Sequence, residues 1–203
     1  CTVNGKLMNY QGTPVYGILK FQIKNKDEKI TPTVKNNTTV NTVKMKASLK
    51  KTTVVYNGKA QKPQIKEVKV GNNKISSKYY SISYKNNKNV GTGYAVIRGK
   101  GKYKSYSCTV KFKIIPKSTM IKKITAAKNT AKVKWKKVNG AGGYQIQCST
   151  SKNFKNAKTK TVKNITALKI SKLSGKRIYY VRIRSWKKVG KTVYYSGWNK
   201  AKK

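Results

Sequence analysis

Histidine is absent from the 203 residues, and side-chain acids number only three, Asp27, Glu28 and Glu67, against 49 lysines and arginines. Acid–base catalysis near neutral pH draws on imidazoles or on separated carboxylate pairs. Here two of the acids are sequence neighbours and the third stands alone. Metal sites need clustered His, Cys, Asp or Glu, which the chain does not offer. The chemistry expected is therefore not enzymatic, with no cofactor and no metal. Cysteine is scarce too: Cys1, Cys108 and Cys148 form an odd, widely spaced set that matches neither a disulfide framework nor a zinc motif. Cys108 lies in phase with Val110, Phe112 and Ile114, and Cys148 with Tyr144 and Ile146, so both read as small buried hydrophobes. Cys1 is open to two readings, a lipidated mature terminus or the arbitrary start of a fragment. No apolar run approaches the length of a membrane span, and no signal-peptide pattern opens the chain, so membrane insertion is not expected.

What is abundant is positive charge, a formal net +46. With so few carboxylates to pair with, most of these cations must project into solvent and repel one another at low salt. Polyanions are attracted as a class: nucleic acid, teichoic acids, sulfated or sialylated glycans, anionic membranes. Charge alone does not choose among them. For nucleic acid only non-specific attraction is expected, because the cations spread along the whole chain instead of gathering in a stripe.

Helical periodicity is almost absent. β-Branched and aromatic residues alternate with Lys, Ser or Thr in short runs, as in "YYSISYK" at 79–85, "GYAVIRG" at 93–99, "SCTVKFKII" at 107–115, "AKVKWKKV" at 131–138 and "GYQIQCS" at 143–149. Turn signals such as "YNGK", "NNKNVGTG" and "VNGAGG" separate them. The fold class expected is all-β, as tandem antiparallel β-sandwiches. Pro116 interrupts the pattern, since proline cannot donate within a central strand, and the chain divides there. The expected segments are 1–48, a β-rich extension or the tail of a preceding unit carrying "VYGILKFQIK" and "TVNTVKMKAS", then sandwiches at 49–117 and 118–203.

Two resemblances sharpen this division. Residues 51–116, with "YNGKAQKP", "YSISYKNNKNVGTG" and "GKGKY", resemble the immunoglobulin-like repeats of large surface and secreted proteins of Gram-positive gut clostridia. Residues 119–203 resemble a bacterial fibronectin type III domain: Trp135 stands at the position of a core tryptophan on the second strand, and "GYQIQCS" matches the third. "LSGKRIYYVRIR" resembles the corner in which a tyrosine, here Tyr179, turns its hydroxyl back to the backbone where the sixth strand begins. The resemblances imply a wall-attached or secreted protein of a Gram-positive bacterium, whose modules serve as adhesins, spacers or accessory domains of enzymes.

Candidate binding residues follow from alternation. With Tyr179 inward, Val181 and Ile183 fall in the core and Tyr180, Arg182, Arg184 and Trp186 on the outer face. The returning "VYYSGWN" resembles a Trp-Ser-x-Trp-Ser type of motif, which implies arginines stacked between aromatics, with Trp198 beside Arg182 and Arg184. That face is either a cation–π ladder stiffening one sheet or a contact surface. A second candidate interleaves Tyr79, Tyr103 and Tyr106 with Lys78, Lys102 and Lys104. The function expected is a non-catalytic extracellular binding module, a monomeric fragment that engages a host protein such as an immunoglobulin, or an acidic glycan. A structural stalk, an accessory segment of a wall enzyme and plain polyanion capture are the alternatives.

Overall fold

Strict alternation of apolar and cationic residues makes one-sided strands, and the computed structural model of the chain is built from them. It describes residues 43–203 together with the two-residue strands β1 (Thr2–Val3) and β2 (Lys6–Leu7), which pair antiparallel. Compact units divide at Thr42/Val43. The run "VYGILKFQIK", the neighbouring acids Asp27 and Glu28, and Cys1 all lie outside the described residues.

Within Val43–Lys203 the strands form two successive sandwiches, each with its own core. The first comprises β3 (Met45–Leu49), β4 (Thr53–Val55), β5 (Ile65–Val70), β6 (Asn73–Lys74), β7 (Tyr80–Lys85), β8 (Gly91–Gly99) and β9 (Ser107–Ile115). Its sheets have the orders β3-β5-β6 and β4-β9-β8-β7. Inward residues of both sheets, among them Val68, Ala95, Ile97, Phe112 and Ile114, are almost fully buried. Burial of each of these side chains apart from Ala95 contributes about 1.5–3 kcal/mol. Gly93 stands opposite Phe112, and a Cβ there would lie 2.4 Å from the ring. Glycine is therefore what lets the phenyl group cross β8.

The first strand of this sandwich, β3, straddles the boundary expected at 48/49, because Met45 and Leu49 are needed to close the core. Between Leu49 and Thr53 the chain crosses from one sheet to the other, and β4 pairs with β9 in parallel. This short pair departs from the otherwise antiparallel plan; a strand that switches sheets at a bend meets its new neighbour without reversing direction.

The second sandwich comprises β10 (Ile121–Ala127), β11 (Thr130–Trp135), β12 (Gly143–Ser149), β13 (Lys158–Lys163), β14 (Ala167–Ile170), β15 (Tyr180–Val189) and β16 (Thr192–Tyr195). Its sheets run β10-β11-β14 and β13-β12-β15-β16. Trp135 sits in the core at the end of the second strand and packs edge-on against Tyr144 at 5.4 Å. The Tyr179 hydroxyl accepts the Ser174 N–H at 2.9 Å, the back-bond expected of the corner before the sixth strand. Cys148 belongs to this core and Cys108 packs against the other, so the two thiols lie in different sandwiches and both are free. Burial pushes both thiols above their ordinary pKa.

Between the sandwiches, Pro116 and Thr119 are buried. The Ser185 hydroxyl, fully buried, donates to the Lys117 carbonyl at 2.6 Å. Thr92 Oγ1 and the Tyr194 hydroxyl share a hydrogen bond of 2.8 Å across the junction. The link is thus tied by side chains from both sides.

Candidate functional site

On β15 the alternation holds as expected. Val181 and Ile183 are buried, while Tyr180, Arg182, Arg184 and Trp186 face outward and are half-buried. Three of the five residues expected on this surface come together. Trp198 lies between the arginines, its ring 4.6 Å from the Arg182 guanidinium and 4.4 Å from that of Arg184. The stack extends at both ends: Phe154 covers the other face of Arg182 at 4.1 Å, and Tyr195 that of Arg184 at 3.9 Å. The order Phe154–Arg182–Trp198–Arg184–Tyr195 encloses each guanidinium between two rings.

Hydrogen bonds fix the arginines within the sheet as well. Strand register places Gln147 opposite Arg182 and Gln145 opposite Arg184. Arg182 Nε donates to Gln147 Oε1 at 2.8 Å, and Arg184 Nε to Gln145 Oε1 at 2.9 Å. Each glutamine then donates its amide N–H to β13, Gln147 to Thr159 at 3.2 Å and Gln145 to Thr161 at 3.3 Å. Burial lowers the Arg184 pKa, Tyr195 opposes that shift, and Arg182 adds a further lowering by repulsion. Stacking against both faces offsets the cost of placing two like charges side by side.

Trp186 and Tyr180 do not join the stack. Trp186 stands opposite Gly143 and covers Gly142 and Gly143, where a Cβ would come within 2.9 Å and 2.8 Å of its ring. Tyr180 faces Ser149 across the sheet. Phe154, Tyr195, Gln145 and Gln147 were not anticipated. Phe154 arrives from the loop before β13 with φ = 62°, a left-handed backbone that a bulky residue adopts only under constraint. Its ring is nevertheless buried, 8% exposed. Stacking on Arg182 holds the strained turn in place.

The second surface assembles where the first sandwich presents two one-turn 3-10 helices, Ser77–Tyr79 and Gly101–Tyr103. Tyr79 meets Tyr103 edge-on at 5.6 Å, and Tyr103 meets Tyr106 at 6.5 Å. Lys78 lies 5.0 Å over Tyr79, and Lys102 lies 5.8 Å over Tyr79 and 5.4 Å over Tyr103. The rings are half-buried, with Tyr103 and Tyr106 packed on the first core, and both lysines are exposed. Backbone bonds hold the cluster together, the Lys100 N–H donating to Tyr79 and the Gly99 N–H to Tyr106. All three tyrosines expected at this surface are brought together.

Among the described residues, Glu67 is the only side-chain acid, and it pairs with Lys69 at 3.0 Å and Lys74 at 4.0 Å. No other described lysine or arginine can find a carboxylate side chain within this region. No group of three or more His, Cys, Asp or Glu able to hold a metal occurs among the described residues. No described helix is long and apolar enough to cross a membrane.

No protein-family model matches the chain, and no curated protein matches it. Among solved structures it is similar to the crystal structure of domains A168–A170 from titin, at 12% identity and a TM-score of 0.32, over 79% of this chain. The match spans 65% of that titin chain's length. The chain is an all-β protein of tandem sandwiches of the immunoglobulin-like and fibronectin type III-like kind. That assignment rests on the sheet orders, the two cores and the tyrosine corner described above.

Proposed function

We propose that the chain is a non-catalytic binding module of an extracellular, wall-attached or secreted protein of a Gram-positive bacterium, and that it engages an acidic host macromolecule. The observation that carries this reading is the Tyr79–Tyr103–Tyr106 cluster, whose half-buried rings stand beside exposed lysines with no carboxylate partner among the described residues. Aromatic faces offer a rigid apolar platform and the ammonium groups select an anion; tyrosine is also among the residues enriched where interfaces concentrate their energy. The arginine stack has the opposite character. Its guanidinium faces and Nε atoms are already occupied, which suits a scaffold.

The test is capture of purified immunoglobulin and of sialylated or sulfated glycans at near-physiological salt. The double substitution Tyr79→Ala and Tyr103→Ala should remove most of the capture, whereas Trp198→Ala should leave it. Capture that disappears with salt for every polyanion alike, and ignores the tyrosines, would reduce the function to charge. A stalk is the second reading, favoured by the tied junction at Lys117–Ser185 and Thr92–Tyr194. It predicts no capture in any arm.

A further inference from the structure

Among the described residues, the strand β7 is the free edge of its sheet. The Lys100 N–H donates to the Tyr79 carbonyl, and Tyr80 stands opposite Gly99, so residue 79 stands opposite residue 100 in a hydrogen-bonded pair. Antiparallel alternation then turns Ser81, Ser83 and Lys85 toward β8, and the N–H and C=O groups of Ile82 and Tyr84 off the edge. The Tyr80 N–H is taken by Ser77. An open row of this kind is a template for another strand, and proteins ordinarily guard it with lysine. In this chain most described edges are guarded in that way: β3, β6, β10, β13 and β14 carry Lys46, Lys74, Lys122, Lys158 and Lys169. β4 and β16 are lysine-free but only three and four residues long. β7 runs six residues, "YSISYK", with its single charge at the last.

Its side chains define what would pair there. Ile82 stands opposite Ile97, which is fully buried, yet Ile82 itself is 40% exposed. The seam between the sheets is thus open at that point. On the other face Ser81, Ser83 and Lys85 stand opposite Arg98, Val96 and Tyr94. We infer that the β7 edge accepts an extended acidic peptide of a partner protein as an added strand, its apolar residues alternating into the seam at Ile82 and its carboxylates facing Lys85 and Arg98. Charge chooses this occupant over a second copy of the chain, which would bring its own net +46 to the same edge. Main-chain bonds would supply affinity and the alternating pockets specificity. The inference rests on the binding-module reading and names its partner, since the edge begins at Tyr80, next to the Tyr79 cluster.

The experiment is amide hydrogen exchange on the whole chain, resolved at single residues, with and without a synthetic peptide of about ten residues alternating Glu and Val. In the free protein the Ile82 and Tyr84 amides should exchange faster than those of Ser81 and Ser83. Saturating peptide at near-physiological salt should slow Ile82 and Tyr84 by about tenfold or more. The same peptide N-methylated at alternate residues should not, which needs no variant of the protein; Ile82→Pro, checked for a native fold, should abolish the protection of the Tyr84 amide. Unchanged exchange at Ile82 and Tyr84, or equal protection by the N-methylated peptide, overturns the inference. If the glycan or immunoglobulin is captured through Tyr79 and Tyr103 while the peptide protects neither amide, the binding-module reading stands and the added strand falls. If nothing binds, both fall.

Discussion

The two cation–aromatic clusters are made from the same ingredients and differ in enclosure. In the second sandwich each guanidinium lies between two rings at 3.9–4.6 Å and is tied by its Nε to a glutamine of the neighbouring strand. In the first, lysines rest on one side of tyrosines at 5.0–5.8 Å and are exposed. A planar cation can be sandwiched and hydrogen-bonded in its plane, whereas an ammonium on a flexible stem holds no fixed orientation. Enclosure makes the arginine stack part of the structure, whereas in the tyrosine cluster the ammonium groups stay exposed while Tyr103 and Tyr106 pack on the core beneath. The residue types alone would not have separated them.

Trp198→Ala should break this contrast most visibly, because one substitution uncovers both arginines. Loss of two stacked faces and of the half-buried indole area should lower stability by about 2–3 kcal/mol. A denaturant melt measures it directly. Tyr79→Ala, which removes one half-exposed ring from the other cluster, should cost about 0.5–1 kcal/mol. Equal losses in the two variants would erase the distinction between scaffold and surface.

Phe154 sharpens the comparison from the opposite end of the stack. Truncation to alanine should cost about 2–3 kcal/mol, since a buried ring is lost; the left-handed backbone is common to both residues and adds nothing to the difference. Glycine has no penalty at φ = 62°. Phe154→Gly should therefore be more stable than Phe154→Ala by roughly 0.5–1 kcal/mol, the reverse of the usual order. If alanine proves the more stable of the two, the turn is not strained.

Phe154 also marks where the sequence stops being readable. The period of two on β15 declares which side Arg182 and Arg184 take, and the resemblance of "VYYSGWN" to a Trp-Ser-x-Trp-Ser type of motif implies Trp198 beside them, so the centre of the stack is legible. Tyr144 is legible by the same alternation, whereas Trp135 and the Tyr179 corner were legible only through the resemblance to a fibronectin type III domain. Phe154 reaches the stack from a loop, and no periodicity says where a loop will place its side chains. Gln145 and Gln147 become partners only through the register of β12 against β15. Trp186 obeys the alternation yet covers Gly142 and Gly143, because an aromatic settles where missing Cβ atoms leave room. The parallel pairing of β4 with β9 was hidden for a related reason: alternation tells a strand's inner face and is silent about its neighbour.

The thiols compare the two cores. Cys148 is 3% exposed, while Cys108 is half-buried. Burial raises both pKa values, with Lys158 opposing the shift at Cys148, so each forms less thiolate near neutral pH than a free cysteine does. Both should alkylate slowly in the native protein, more quickly as pH rises, with Cys108 ahead of Cys148 by about tenfold. Mass spectrometry after timed labelling reads the order. Faster labelling of Cys148 would mean that the second core opens more readily than the first.

The smallest effect expected is that of salt on the arginine stack. Raising ionic strength should stabilise the whole chain, because the net +46 repels itself and screening acts over about 8 Å at physiological salt. The ring-to-guanidinium distances of 3.9–4.6 Å leave no space for an ion to intervene. The stability lost in Trp198→Ala should therefore change by less than about 0.3 kcal/mol between low and high salt, while wild type and variant rise together. Capture of an acidic partner through Lys78 and Lys102 involves exposed charges and should weaken over the same range, though less than the capture of heparin or DNA, whose binding releases many counterions. A Trp198→Ala deficit that vanishes with salt would show the stack to be held by long-range charge instead of contact, and the contrast between the two clusters would fail on physical grounds.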